Sequence, residues 1–185
     1  MAFALDVLVT VVALTIFGQH IWALRGHFAS ERMTGGARVI SVGALTSCVL
    51  LLVLTWTVEQ PPLAQLAGIA VMGVSLILFW AAVRASSKAR LRFAFDEALP
   101  NSLVTFGPYR HVRHPFYTSY LMFWSGWAIA SWSLWGLAPI VIMGVLYTIA
   151  ARYEEKLLIG SGMSSAYRQY RNSTGMFWPR IIGSR

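Results

Sequence analysis

Four long apolar blocks, divided by basic or proline-containing stretches, set the plan of this chain. Phe3–Leu24 is broken only by Asp6, while Val39–Val58 and Leu63–Val83 contain no charged residue. Each has the ~20 residues that a helix needs to cross the roughly 30 Å hydrocarbon core of a bilayer. Phe116–Ala151 is also uncharged but too long for one crossing. Ser131-Trp132-Ser133 reads as a tip, with Gly136 and Pro139 in the second arm, so this block predicts a tight helical hairpin over 116–131 and 134–151. The expectation is an all-α polytopic membrane protein with five transmembrane helices. It forms a single membrane domain over 1–185, with three N-terminal crossings in 1–84 and a loop, the hairpin and a C-terminal tail in 85–185.

Composition sharpens this picture. Hydrophobic residues make up 57% of the 185 residues and charged residues only 12%, against about 25% charged in soluble domains. A chain this short cannot enclose three wholly apolar helices in a polar shell, so a soluble core is excluded. The 15 Lys and Arg fall in three regions only: Arg25 to Arg38, Arg84 to Arg113, and Arg152 onward. The positive-inside rule then places loop 25–38, loop 84–115 and the C-terminal tail in the cytoplasm, with the N-terminus and the two short turns outside. An integral inner-membrane protein is expected, its basic charge (+8) facing anionic headgroups. No nucleic-acid partner is expected, since the charges line no soluble face. The first block lacks the basic start and short apolar core of a cleavable signal peptide. The lone Cys48 excludes an intrachain disulfide and a cysteine metal cluster; no metal is expected. Gly43-x-x-x-Ser47 is a small-residue packing motif that leaves the oligomeric state open.

Candidate chemistry gathers in two cytoplasmic stretches, 99–117 and 152–158, followed by Tyr167 and Tyr170. A hairpin over 116–151 brings both to the same membrane surface. Pro115 suits the first turn of a helix, which puts His114 at its cap and leaves free amides that favour an anion, with Arg113 as an added cation. Opposite, Glu154 and Glu155 stand near a helix C-terminus, where carboxylates are unfavourable. Either a cationic ligand group or a nearby Lys or Arg compensates them. Glu154 follows Tyr147 by seven residues, on one face. The set would hold a zwitterion such as a methionine-like moiety; the same residues also serve simply as interfacial anchors.

Arg113-His114-Pro115-Phe116-Tyr117-Thr118-Ser119 before the hairpin and Glu154-Glu155-Lys156-Leu157-Leu158 after it resemble the signature of the isoprenylcysteine carboxyl methyltransferases and their phospholipid N-methyltransferase relatives. The run Leu103-Val104-Thr105-Phe106-Gly107-Pro108-Tyr109 and the tail Tyr167-Arg168-Gln169-Tyr170 with Phe177-Trp178-Pro179 look like further parts of that pattern, over about 85–180. The resemblance implies an enzyme that binds S-adenosyl-L-methionine without a dinucleotide-binding fold. Carried over by position, the cofactor contacts are Asn101, Ser102, Leu103, Val104, Tyr109, His114, Pro115, Phe116, Tyr117 and Glu154, with Arg113 and Glu155 matching the motifs as binding or structural residues. Glu154 would meet the ammonium, and the region of His114 the carboxylate.

Two positions depart from the pattern. Ser119 replaces a glycine. Ala150 stands where the prenylcysteine enzymes carry an arginine facing the substrate carboxylate, and Arg152 lies on another side of the helix. The methyl acceptor is therefore expected to be lipophilic or amphipathic, with its identity open among a prenylcysteine, a phospholipid and a small molecule methylated on N, S or O. Displacement at a sulfonium gains from positioning and from a dry pocket, which Tyr117, Tyr120, Phe123 and Trp124 would line. The candidate catalytic residues are His111, Glu155 and Arg152; His111 or Glu155 would take the proton of an amine acceptor. Gln19 and His20, near the inner end of the first helix, either line an acceptor groove or cap that helix end. Other readings are a sterol-type membrane reductase using NADPH and a non-enzymatic membrane interaction protein.

Overall fold

The computed structural model describes residues 2–26, 34–87 and 102–180. Its helices are α1 (Ala2–Gly26), α2 (Gly35–Thr57), α3 (Pro62–Ser86), α4 (Pro115–Ser131), α5 (Leu137–Ile159) and α6 (Ser164–Ser173), with 3-10 turns at Gly107–Arg110 and Leu134–Gly136. Among the described residues there is no strand, only one isolated bridge between Val112 and Gly175. Local chemistry sets the boundaries. Thr34 caps α2 by accepting the Ala37 N–H at 3.1 Å, and Pro62 opens α3. At the hairpin tip Trp132 takes the left-handed conformation, φ 47°, that stops α4.

Among the described residues, four helical stretches are long and apolar enough to cross a membrane: Phe3–Ala23, Gly35–Thr57, Pro62–Ser86 and Leu134–Ile159. The first arm of the expected hairpin, α4, has 17 residues and so spans about 26 Å at 1.5 Å per residue, less than a full hydrocarbon core. Pro115 and Trp132 confine it. The second arm runs on to Ile159 rather than stopping near Ala151, because Arg, Glu, Lys and Leu are all good helix formers. It therefore carries Glu154 and Glu155 within the helix.

The molecule has its large apolar residues on both sides of the wall. Val9, Ile16, Leu51, Met72, Phe123, Trp124, Trp127 and Met143 fill the interior, while Leu45, Ile77, Val141 and Leu134 are exposed as a lipid-facing surface requires. Two buried indoles pair across helices: Trp127 Nε1 donates to Thr55 Oγ1 at 3.1 Å, and Trp124 Nε1 to the Tyr147 hydroxyl at 3.3 Å. Cys48 is buried in this core. Gly43 faces inward as well, against Leu146 and Met143 of α5, so the Gly43–Ser47 motif packs within the chain.

The closest helix pair is α3 with α4. A Cβ on Gly126 would lie 2.8 Å from the Gly68 carbonyl oxygen, and one on Gly68 2.6 Å from Ala130 Cβ. Only glycine permits that approach. Gly68 near the start of α3 meets the end of α4, and Phe79 near the end of α3 meets Phe116 at the start of α4, with ring centroids 5.6 Å apart. The two run antiparallel. Tyr147 in the middle of α5 stacks on Tyr117 early in α4, and Glu154 further along α5 accepts the Tyr117 hydroxyl, so the end of α3, the start of α4 and the end of α5 share one end of the bundle. A separate polar cluster marks the opposite end, where Gln65 donates to Asp6 at 2.6 Å and to Gln60 at 3.1 Å.

Candidate active site

Gly107, at φ 60°, turns the chain into the 3-10 segment, a backbone shape that costs glycine little. Tyr109 is buried behind it, and its carbonyl accepts the Tyr170 hydroxyl of α6 at 2.6 Å. Burial pushes Tyr170 up to about 12 and keeps it a neutral donor. The next residues run beside the C-terminal tail. Arg113 N–H donates to the Gly175 carbonyl at 2.8 Å and His114 N–H to the Met176 carbonyl at 3.1 Å. Thr118 Oγ1 donates to the Phe177 carbonyl at 3.0 Å. Residues 174–177 are thereby strapped over the start of α4. Gly175 is required in the strap, since a Cβ there would overlap the Trp178 carbonyl.

Pro115 opens α4 with His114 at the cap position, as the spacing predicts, but the imidazole makes no capping bond. It sits instead between two carboxylates. Its Nε2 is 3.3 Å from Glu155 Oε1 and its Nδ1 3.5 Å from Glu154 Oε2. Burial disfavours the charged imidazole, yet its hydrogen bonds to Glu154 and Glu155 and their charges outweigh that and raise its pKa.

Glu154 and Glu155 are neighbours with different surroundings. Glu155, 6% exposed, accepts Arg113 Nε at 2.8 Å and faces Arg171 Nε at 3.6 Å. The Arg113 guanidinium also donates to the Arg171 carbonyl at 3.3 Å and to the Thr174 carbonyl. Arg113 and Glu155 therefore compensate each other and pin the tail. Glu154 is 30% exposed and accepts the Tyr117 hydroxyl at 2.5 Å. The Tyr117 ring stacks on His114 at 5.7 Å and on Tyr147 at 5.1 Å, and Phe177 approaches it edge-on at 6.4 Å. The result is an aromatic-walled carboxylate with one accessible side.

Of the residues singled out from sequence, Arg113, His114, Pro115, Tyr117, Glu154 and Glu155 come together here. Val104, Tyr109 and Phe116 form a second cluster with Phe79 and Ala82 of α3 and Ala23 of α1; Leu103 is half-buried and Ser102 exposed. Asn101 lies outside the described residues. His111 and Arg152 are both exposed, while Glu155 is held by two cations and a histidine. Ala150 is fully buried, and Ser119 spends its hydroxyl on the Phe116 carbonyl of its own helix at 2.7 Å. Sequence reasoning missed Arg171 and the strap of 174–177; Tyr167 and Tyr170, three apart on the buried face of α6, were the visible part of that element. A surface cavity of about 740 Å³ beside Arg113 is walled by Arg168, Arg171 and Arg180, with Trp178 at its side.

No curated protein matches the chain. The family model described as phospholipid methyltransferase matches residues 63–161, from the first turn of α3 to just past the end of α5, and so includes His114, Tyr117, Glu154 and Glu155. With more than half of its length matched in this way, the chain belongs to the phospholipid methyltransferase family.

Proposed function

We propose that this membrane methyltransferase takes its methyl group from S-adenosyl-L-methionine and passes it to a lipophilic or amphipathic acceptor. The observation that carries the reading is Glu154: a carboxylate held by Tyr117, beside a histidine whose charged form is favoured, and still open on one side. These residues fit the zwitterionic end of the donor. Glu154 would hold an ammonium, and the first amides of α4, in the region of His114, a carboxylate. Tyr117, Tyr147 and Phe177 form apolar walls that exclude water and suit a sulfonium through cation–π attraction. Bound there, S-adenosylmethionine supplies an electrophilic methyl group. The chain's own residues orient it, keep the pocket dry and hold the tail closed over the start of α4.

In this reading Ser102, Leu103, Val104 and Tyr109, with Asn101, shape the remainder of the donor site. Arg113, Pro115, Phe116 and Glu155 hold its frame. The chain is one membrane domain with five crossings, α4 being the short one, the N-terminus outside and the site and C-terminal tail at the cytoplasmic face of the inner membrane. The acceptor enters sideways from the bilayer. Ala150 offers no cation for a prenylcysteine carboxylate, which favours a phospholipid or another lipid head, and the arginine-walled cavity suits anionic headgroups nearby. The test is transfer of labelled methyl from S-adenosylmethionine to a polar lipid extract by the purified protein, with mass analysis of the product. A methylated lipid is expected; absence of transfer to the extract and to an added prenylcysteine would contradict the reading.

A further inference from the structure

We infer that His20 of α1 is the hydrogen-bonding contact for the polar head of the methyl acceptor, an uncharged amine or a hydroxyl. His20 is 7% exposed, and its ring is surrounded by Phe79 and Tyr120 at 4.7 Å and Phe123 at 5.3 Å. Its Nε2 is buried and has no hydrogen-bond partner among the described residues. Leaving such an atom unpaired is costly, and a titratable side chain inside a membrane helix is a functional candidate on physical grounds. Its neighbour Gln19 shows the contrast: it accepts Trp80 Nε1 at 2.7 Å and is spent on joining α1 to α3.

The other buried polar atoms without a partner do not compete. Gln65 stands at the opposite end of the bundle, its amide already donating to Asp6 and Gln60. Tyr109 lies beside Ser86, and Tyr167 beside Glu155 and Arg113. His20 has the rings of Phe79, Tyr120 and Phe123 against it, and Tyr120 leads on to the site. Tyr120 touches His20 on one side and, on the other, Tyr147 at 5.7 Å and Tyr117 at 6.4 Å, and Tyr117 holds Glu154. His20 lies six residues before the end of α1, about 9 Å below it at 1.5 Å per residue. It is thus on the bilayer side of the proposed donor site, where the head of a lipid must turn inward to meet the methyl group. An imidazole nitrogen there pairs with an amine or hydroxyl and rejects a head that offers no hydrogen bond.

This rests on the methyltransferase reading, and the experiment separates the two. Three quantities are measured for wild type, His20→Phe and His20→Gln in detergent: unfolding temperature, affinity for S-adenosylhomocysteine, and the KM for a polar lipid extract in the labelled-methyl assay. Because phenylalanine removes a buried unpaired polar atom, His20→Phe is expected to unfold no earlier than wild type and to bind S-adenosylhomocysteine equally well. Its acceptor KM should rise roughly tenfold, the scale of one lost hydrogen bond, and His20→Gln should recover most of it. An unchanged acceptor KM in His20→Phe, or a parallel loss of fold and S-adenosylhomocysteine affinity in both variants, overturns the role of His20 alone. A wild-type protein that neither binds S-adenosylhomocysteine nor methylates the extract removes the methyltransferase reading, and this inference with it.

Discussion

Tyr117 in the first turn of α4 donates its hydroxyl to Glu154 Oε1 near the end of α5, a 2.5 Å bond that ties the two arms of the hairpin together. The same ring stacks on Tyr147, about two turns before Glu154 on the same face of α5. The carboxylate is thereby aimed rather than left to swing. Tyr117→Phe keeps the stack and loses the bond. It is expected to weaken S-adenosylhomocysteine binding by about 0.5–1.5 kcal/mol, the net value of one hydrogen bond, as read by titration in detergent.

Arg113 and Glu155 are both under 10% exposed and form a pair with further bonds to the tail. Removing one partner of a buried pair strands the other charge and costs about 3–5 kcal/mol. Arg113→Ala is expected to lose that much in thermal unfolding and to make the tail near Thr174 sensitive to proteases. Arg113→Lys keeps the charge without the planar fork and should fall between.

His114 supplies a pH dependence of defined sign. Its folded-state pKa is raised above the ordinary 6.5, burial opposing and the Glu154 and Glu155 carboxylates prevailing. Its stabilisation is therefore complete below about pH 6.5 and is lost as pH rises through the raised value. The difference in unfolding temperature between wild type and His114→Gln should shrink on going from about pH 6 to about pH 9; a difference independent of pH would contradict this arrangement.

The Gly68–Gly126 contact sets the position of α4, and with it His114 and Tyr117. Gly126→Ala places a methyl group 2.8 Å from the Gly68 carbonyl oxygen, and overpacking of this kind costs about 1–3 kcal/mol. The variant is expected to unfold earlier and to lose affinity for S-adenosylhomocysteine together. Ala substitution at Gly73, which faces open space, should change neither.

Much of the fold could be read from the positions of charge. Apolar blocks located the helices, Ser131–Ser133 the tip, and hairpin topology alone brought Arg113–His114 next to Glu154–Glu155. Three features escaped for physical reasons. The second arm continues to Ile159 because the hydrophobic pattern ends at the membrane surface while helical hydrogen bonding does not. The strap over α4 is made by the backbone carbonyls of 174–177, which no side-chain pattern encodes.

Glu154 and Glu155 posed the third difficulty. Adjacent helical residues point about 100° apart, so one faces Arg113 and His114 in the interior and the other keeps an open side. Sequence alone leaves both a ligand and an ordinary ion pair open as explanations of the two. The fold divides them, with Arg113 and Arg171 accounting for Glu155 and an open side left to Glu154. His20 is a similar case: its position near the end of α1 is plain, whereas its ring of Phe79, Tyr120 and Phe123 arises only when α1, α3 and α4 meet.

The central claim is that Glu154 holds the ammonium of S-adenosylmethionine, and direct ligand binding to the purified protein in lipid nanodiscs tests it. Wild type is expected to bind S-adenosylhomocysteine and not NADPH. Glu154→Gln should bind it about 1.5–3 kcal/mol more weakly, the scale of a charge-assisted hydrogen bond, with little change in unfolding temperature. Binding of NADPH alone, or a Glu154→Gln variant with wild-type affinity for S-adenosylhomocysteine, would contradict the account.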